Sequence, residues 1–235
     1  MYYNTARMVR KKGHQFYDQE YFSQRDYFPD HLAETLKLIF RKRQVKKILD
    51  VGCGDGQIVS YLNRNGFQAT GCDSADAAIK ISGQIKADAT NLPFSENSFE
   101  AVMAISLIEH LTSGQFDKFL KETRRVLIPA GYFFLVTPNR SSPLRIIEGK
   151  NWFAYRDPTH VQYYSPTSLK RILKKQGFGR FRFRFPTSVK TKADWWPHHL
   201  ASPPQFIQSF LNYLFISSPL AYLRNSFWVL CQKRP

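Results

Sequence analysis

The sequence predicts an α/β fold in which helices cover both faces of a parallel β-sheet. Short apolar runs in the middle third of the chain alternate with segments of helical spacing, and the first run ends in a glycine cluster. Runs of about four to eight apolar residues are typical of buried parallel strands, which helical crossovers connect. The chain has 235 residues, 43% of them hydrophobic and 15% aromatic, so it can bury a core, and a disordered chain is excluded.

The alternating units follow one another in order. Gly66 is suited to end the first helix, and the Pro129-Ala130-Gly131 sequence breaks the third. The predicted strands are 45–51, 67–72, 85–87, 99–105 and 132–136, and the predicted helices are 57–65, 75–82 and 115–127.

The C-terminal part predicts one more helix and two more strands. Pro166 lies just inside a helix that Gly177 ends, and residues 178–185 alternate Phe with Arg as a half-buried strand does. Residues 226–231 predict the final strand. The insert between these strands, 186–225, has no charged residue from 195 to 223, but its prolines and amides argue against a transmembrane helix.

The positive charge is concentrated in the two flanks of the chain. There are 34 Lys and Arg against 18 Asp and Glu, a net charge of +16. Residues 1–47 carry 11 basic and 5 acidic side chains, 48–140 carry 8 and 10, and 141–235 carry 15 and 3. Such flanks favour a polyanionic partner, which could be nucleic acid, an anionic membrane or a phosphorylated substrate, or they simply keep the surface soluble.

Cysteine usage and the N-terminus indicate a reducing cytoplasm. The three cysteines are too few and too far apart for a disulfide framework or a four-cysteine zinc site, and residues 1–12 are polar and basic with no apolar signal core. Cytoplasmic localisation, with membrane association through the insert as an option, is therefore the expectation.

The sharpest local signal is the glycine cluster at 50–56, Asp-Val-Gly-Cys-Gly-Asp-Gly. Glycines at a strand–helix junction let the backbone turn tightly and approach a ligand, and the helix N-terminus offers unpaired N–H groups to it. A dinucleotide site would have glycine three residues after Gly54, but position 57 is Gln. The spacing therefore argues against NAD.

From this loop onward the sequence resembles the class I S-adenosylmethionine-dependent methyltransferases, over about residues 45–185 and the last strand. The resemblance implies a Rossmann-like, doubly wound sheet of seven strands with the last one antiparallel. We expect a helical or lid segment at 1–44 and a methyltransferase domain at 45–235. The 1–44 segment and the insert at about 186–225 would supply a helical cap on the substrate side.

The resemblance also implies the cofactor, S-adenosyl-L-methionine, and the residues around it. Asp73 stands where the family places an acid on both ribose hydroxyls, and the Asp88-Ala89 pair stands where the adenine amino group is read. Ser106 begins a segment, 106–111, that lines the methyl-transfer cleft. The predicted cofactor-binding residues are Asp50, Gly52, Cys53, Gly54, Gly56, Asp73, Asp88, Ala89 and Ser106. Taken singly, Asp73 could equally be a helix cap, Asp88 a turn residue and Cys53 a small buried residue.

The candidate catalytic residues are His110, His160 and Glu109. Members that methylate quinol, lipid-linked or glycan hydroxyls often carry Glu-His where Glu109 and His110 stand, and some use a divalent ion there. No metal site is predicted, although a divalent ion is an option. Each histidine could instead serve packing alone.

The predicted function is methyl transfer to a hydroxyl of a small, lipid-like, quinone or saccharide acceptor. An RNA methyltransferase that uses the basic flanks is the alternative, but the chain lacks the Asn-Pro-Pro-Tyr/Phe type of motif that family members use for methylating amino groups of nucleic acids. A non-catalytic S-adenosylmethionine-binding module is an alternative of another class. The insert could close over the acceptor or lie at an anionic membrane, and the oligomeric state is left open.

Overall fold

A computed structural model describes residues 30–185 and 219–234, together with the single positions 18, 21, 204, 206, 207 and 210. These residues form one seven-stranded sheet with the strand order β3-β2-β1-β4-β5-β7-β6. The strands are β1 (Lys47–Val51), β2 (Gln68–Asp73), β3 (Ile85–Lys86), β4 (Phe99–Ile105), β5 (Leu127–Pro138), β6 (Phe178–Arg182) and β7 (Ser226–Lys233).

Helices connect these strands. They are α1 (Asp30–Lys42), α2 (Gln57–Arg64), α3 (Asp76–Ser82), α4 (Ser113–Val126), α5 (Pro143–Glu148) and α6 (Pro166–Lys175). Short 3₁₀ turns lie at Ile108–His110, Gly149–Asn151, Phe153–Tyr155 and Pro219–Leu223. Within the described ranges, no helix is both long enough and apolar enough to span a bilayer.

The sheet confirms the predicted architecture. Strands β1 to β5 pair in parallel, and β7 runs antiparallel between β5 and β6. The carboxyl ends of β1, β2 and β4 therefore meet at one edge of the sheet, and this is where the predicted site residues lie.

Two hydrophobic cores lie on opposite faces of the sheet. Neighbouring residues of β1 go to different cores, because Ile48 packs in the core that contains α1 and Leu49 packs in the core that contains α4. Side chains alternate between faces along a strand, so a strand covered on both faces is apolar at nearly every position. This is why the adjacent β1 residues Ile48 and Leu49 are both apolar.

The structure differs from the prediction at β5. The strand begins at Leu127 instead of 132, and Phe99 pairs with Leu127 while Ala101 pairs with Tyr132. The intervening residues bulge out of the ladder, with Ala130 at a φ of 60°. The Pro-Ala-Gly sequence thus interrupts strand pairing as well as ending the preceding helix.

The flanking segments are described only in part. Helix α1 falls within the 1–44 segment, and Tyr21 packs against Ala75 and Ala78 at the start of α3. Most of the 186–225 insert lies outside the described residues, so its proposed role as a lid or membrane contact stays a prediction. The division into 1–44 and 45–235 stays a prediction.

Candidate functional site

The glycine loop between β1 and α2 needs glycine for its backbone conformation. Gly52, Gly54 and Gly56 have φ values of 76°, 55° and 74°, in the left-handed region that side chains disfavour. A Cβ at Gly52 would lie 3.0 Å from the Leu107 side chain, and one at Gly56 would lie 2.9 Å from the Cβ of Ser82. The loop is thus fixed between the segment after β4 and the end of α3.

Cys53 attaches this loop to β2. Its N–H donates to the Cys72 carbonyl at 3.0 Å, and its thiol lies against Gly71, where an added Cβ would be 2.7 Å from the sulfur. Burial raises the pKa of the Cys53 thiol, which therefore stays protonated. The sequence prediction missed Gly71, although a glycine inside a strand indicates a close approach of this kind.

Asp50 lies beneath the loop and is 3% exposed. Its Oδ1 has no hydrogen-bond partner among the described residues. Burial raises the pKa of this carboxyl well above its ordinary value, and the nearby acids Asp73 and Asp55 raise it further. A buried polar atom without a partner is costly, so a ligand donor or a water is expected at this point.

Asp73, at the carboxyl end of β2, is oriented by the backbone. Its Oδ2 accepts from the Gly54 N–H and its Oδ1 from the Ala75 N–H, both at 2.9 Å. The second bond closes the turn before α3, but Ala75 is the N-cap of that helix and no side chain caps it. A carboxylate has about four acceptor positions, so the two that remain can accept two vicinal hydroxyls. Asp73 is therefore not the N-cap of α3, which is Ala75, and its free acceptor positions fit the ribose role.

Asp88 and Ala89 follow β3 at the same edge. The exposed Asp88 accepts at Oδ1 from the Thr90 N–H at 2.8 Å, which makes a tight turn, while Ala89 is half-buried against the core. Ser106, after β4, is exposed with a φ of 52°, and its N–H donates to the Val136 carbonyl at 3.0 Å. A non-glycine residue in this region of φ marks strain of the kind that is common at functional sites.

Glu109 is buried under the segment that carries His160. It is 1% exposed, its Oε2 accepts from the Thr137 hydroxyl at 3.0 Å, and its carbonyl accepts from the N–H groups of Val161 and Gln162. Burial raises the pKa of this carboxyl to about 8, so Glu109 is mostly protonated at neutral pH.

His110 is held through its Nδ1. The Thr159 hydroxyl lies 2.9 Å from this nitrogen and donates to the Asp157 carboxylate. A hydroxyl has one proton, so it must accept from His110, and Nδ1 therefore carries hydrogen. The Thr159 carbonyl, 3.4 Å from Nδ1, favours the same tautomer. In the neutral ring the lone pair is then on Nε2. Burial and the neighbouring His160 lower the pKa of His110 to about 4.

His160 completes the cluster. Its ring centroid is 4.7 Å from that of His110, its Nδ1 donates to the Ala154 carbonyl at 2.8 Å, and its Nε2 lies 3.7 Å from Asp157 Oδ2. Burial lowers the pKa of His160, against the opposing effect of Asp157. The structure thus brings together all three predicted catalytic residues, although His160 is 50 residues from His110 in the chain.

The same three residues could hold a cation. Glu109, His110 and His160 each offer one ligand atom, and these atoms lie within 4.8 Å of one another. Two imidazoles and a carboxylate suit a transition metal, but the Glu109 carboxyl accepts from Thr137 and favours its protonated form. A metal here stays an option.

Sequence reasoning missed the aromatic residues beside this cluster. Trp152 is fully buried, with Tyr155 and Tyr163 4.9 Å and 6.1 Å from it between ring centroids. Tyr163 in turn lies 6.3 Å from His160, and Tyr155 is 40% exposed. This aromatic wall leads from the histidines to the surface. The density of aromatics at 152–164 was the available signal.

A separate cavity of about 630 Å³ lies at the β6 edge of the sheet. The strands β4, β5 and β7 stand between β6 and the glycine loop strand β1. None of the predicted site residues lines it. All charged residues among the described residues that line it are basic, and the lining also includes Phe181, Phe183 and Phe185. The basic residues are Lys42, Arg43, Lys170, Arg182 and Arg184.

The chain is similar to known methyltransferases. An uncharacterised methyltransferase of Synechocystis is 32% identical over 146 residues, which are 57% of this chain and 66% of that protein. A ubiquinone biosynthesis O-methyltransferase of Chromobacterium violaceum is 25% identical over 71% of this chain and 79% of its own length. A fatty-acid O-methyltransferase of Mycolicibacterium smegmatis is 40% identical over 37% of this chain, which is 35% of that protein.

A solved methyltransferase structure and a methyltransferase family model also match the chain. A crystal structure of a SAM-dependent methyltransferase from Archaeoglobus fulgidus matches with a TM-score of 0.56 at 24% identity, over 86% of this chain and 94% of that one. The model of a methyltransferase-domain family matches residues 21–179, more than half of the chain. The chain therefore belongs to this methyltransferase family and is an S-adenosylmethionine-dependent methyltransferase.

Proposed function

We propose that this methyltransferase methylates a hydroxyl of a small, lipid-like, quinone or saccharide acceptor, with His110 as the general base. The observation that carries the proposal is the hydrogen-bond chain from Asp157 through Thr159 to His110, which leaves the proton-accepting lone pair on Nε2. A general base needs this combination of a fixed ring and a defined tautomer.

The low pKa of His110 is compatible with this role. S-adenosylmethionine supplies an electrophilic methyl group on a sulfonium, so a new O–CH₃ bond forms as the S–CH₃ bond breaks. The acceptor O–H becomes strongly acidic as that bond forms, and its proton passes to His110 Nε2. At neutral pH the imidazole is in the neutral, accepting form. Backbone contacts with Thr159 and Ser106 favour the protonated ring that results.

The surroundings favour an apolar or aromatic acceptor. The aromatic wall of Trp152, Tyr155 and Tyr163 borders the histidine pair and continues to the surface. Aromatic side chains bury large apolar surfaces and stack on planar or saccharide rings. Two of the relatives have O-methyltransferase in their names, one for ubiquinone biosynthesis and one for fatty acids.

We also propose that the protein works in a reducing cytoplasm. The free thiols of Cys53, Cys72 and Cys231 support this, because none of them pairs with another.

A transfer assay tests the proposed function. Purified protein is incubated with methyl-labelled S-adenosylmethionine and separate lipid, quinone, saccharide and RNA extracts. We expect label in an organic-soluble or saccharide fraction as an alkali-stable ether, the product of hydroxyl methylation. His110→Asn should reduce transfer by about 10²-fold or more, because general-base catalysis contributes about 10² to 10⁴. Label on nitrogen or carbon would refute oxygen methylation.

The matched control is Asp117→Asn, on the outer face of α4. It should leave the rate within about twofold, since exposed substitutions away from a site have small effects. Calorimetry must show that His110→Asn still binds S-adenosylmethionine. Equal transfer by wild type and His110→Asn would show that His110 is not the base.

RNA is the second candidate acceptor, and the cavity at the β6 edge favours it. Its basic and aromatic lining is the combination that binds single-stranded nucleic acid. This alternative expects submicromolar RNA binding that falls steeply with salt and is weakened by Arg182→Glu with Arg184→Glu. Weak binding at physiological salt would exclude it.

A further inference from the structure

Helix α5 presents an apolar patch at the carboxyl edge of the sheet. Ile146 and Ile147 are 74% and 78% exposed, Leu144 is 43% exposed, and no residue of this helix is buried. Phe153, in the second 3₁₀ turn after this helix, is 38% exposed. Single exposed apolar residues are ordinary, but adjacent ones on one short helix mark an interaction surface. These four residues are called the α5 patch below.

The α5 patch is held in place by buried polar groups. Asn139 and Ser142 are both 0% exposed. Asn139 Nδ2 donates to the carbonyls of Tyr222 and Arg224, and the Ser142 hydroxyl accepts from the Leu144 N–H as the N-cap. The two Asn139 bonds tie the carboxyl end of the neighbouring 3₁₀ turn, 219–223, to the segment that leads into α5. The α5 patch is therefore a fixed part of the fold that faces solvent.

Positively charged residues flank the patch in the sequence. Residues 140–156 contain four basic side chains, Arg140, Arg145, Lys150 and Arg156, and one acidic side chain, Glu148. Arg140 and Lys150 are exposed. Apolar side chains bordered by Lys and Arg are the pattern of a segment that lies in the interface of an anionic bilayer.

The patch lies beside the proposed acceptor path. The 3₁₀ turn at Phe153–Tyr155 joins it to the aromatic wall, and the Ala154 carbonyl in that turn accepts from His160 Nδ1. We propose that the α5 patch docks this methyltransferase on an anionic lipid surface, from which a lipid-like acceptor enters along the aromatic wall. The purpose of the docking rests on the proposed function, whereas the docking itself is tested without methyl transfer.

Vesicle sedimentation with the full chain tests this docking. Wild type is mixed with vesicles of phosphatidylcholine alone or with added phosphatidylglycerol, at low and physiological salt. We expect binding to the anionic vesicles that weakens with salt. Ile146→Glu with Ile147→Glu should reduce the partition coefficient by about tenfold or more. Each substitution removes an isoleucine that the bilayer would bury and adds a negative charge that the anionic vesicle repels. Lys150→Ala should reduce it by about fivefold.

The matched control is Ile81→Glu on α3, which also replaces an exposed isoleucine, 48% exposed, but outside the patch. It should bind within about twofold of wild type. Equal pelleting of wild type and the double variant, or no pelleting of wild type, would overturn the proposal. If the wild type instead forms a concentration-dependent dimer and does not bind vesicles, and the double variant does not dimerise, the patch binds a second copy of the chain. S-adenosylmethionine calorimetry and the extract assay report separately on the proposed function.

Discussion

Replacing Asp73 by Ala tests whether this carboxylate binds the cofactor ribose or only caps the loop. Both of its oxygens already accept backbone N–H groups, so any substitution also weakens the glycine loop. Affinity for one ligand alone therefore cannot separate the two roles. Comparing the affinities for two ligands, S-adenosylhomocysteine and its 2′-deoxy analogue, does separate the two roles, because a loop defect weakens the binding of both ligands equally.

The magnitude follows from the hydrogen bond that the 2′-hydroxyl would donate. A hydrogen bond to a charged group contributes about 1.5–3 kcal/mol, or about tenfold to 150-fold in Kd. In calorimetry, the wild type should have a Kd for the deoxy analogue that is higher than its Kd for S-adenosylhomocysteine by that factor. The Kd values of Asp73→Ala for the two ligands should lie within about threefold of each other. Asp76→Ala, an exposed acid at the start of α3, should keep the full preference. If Asp73→Ala also keeps it, the ribose role is wrong.

Three further predictions concern the loop and the histidine cluster. Gly71→Ala places a Cβ 2.7 Å from the Cys53 sulfur, and this overpacking should cost about 1–3 kcal/mol in unfolding free energy and weaken cofactor binding by calorimetry. Glu109→Gln should increase the free energy of unfolding, measured in urea, by a few kcal/mol at pH 9 and change it little at pH 4. The reason is that the raised pKa of Glu109, about 8, makes the wild type lose stability as the pH rises from about 4.5 through 8. Thr159→Val should slow methyl transfer by about 10- to 100-fold, and imidazole ¹⁵N shifts should show a smaller fraction of the Nδ1–H tautomer of His110, which the Thr159 carbonyl alone then favours.

Each of these predictions has its own control. Gly114→Ala has nothing within 4 Å of the added Cβ, so an equal loss of stability there would contradict the close-approach argument for Gly71. A pH-independent difference between wild type and Glu109→Gln would contradict the raised pKa. A slower Thr159→Val enzyme with an unchanged His110 tautomer would show that Thr159 acts through the loop and not through the ring.

Much of the cofactor side of the site could be predicted from the sequence. The glycines of the 50–56 loop and Asp73 could be placed from local sequence order, because each stands at the carboxyl end of a predicted strand. Parallel strands then bring their carboxyl ends to one edge, so residues far apart in the chain become neighbours without any knowledge of side-chain packing. The structure accordingly places Asp73 within hydrogen-bond distance of the Gly54 N–H.

The acceptor side depended on packing that local sequence does not encode. His110 and Thr159 are 49 residues apart, and their contact requires the segment after α5 to fold back over the end of β4. The high pKa of Glu109 and the low pKa of His110 arise from burial, which is set by those distant neighbours. The tautomer of His110 likewise follows from one hydroxyl proton already donated to Asp157.

The sequence by itself thus determined the sheet, the glycine loop and the acids that follow its strands, because strand periodicity and glycine conformation are properties of short segments. Only the tertiary structure decided which histidine is oriented, which carboxyl is protonated and which apolar residues stay exposed on α5. Those properties depend on solvent exclusion and hydrogen-bond geometry between segments that are distant in the chain.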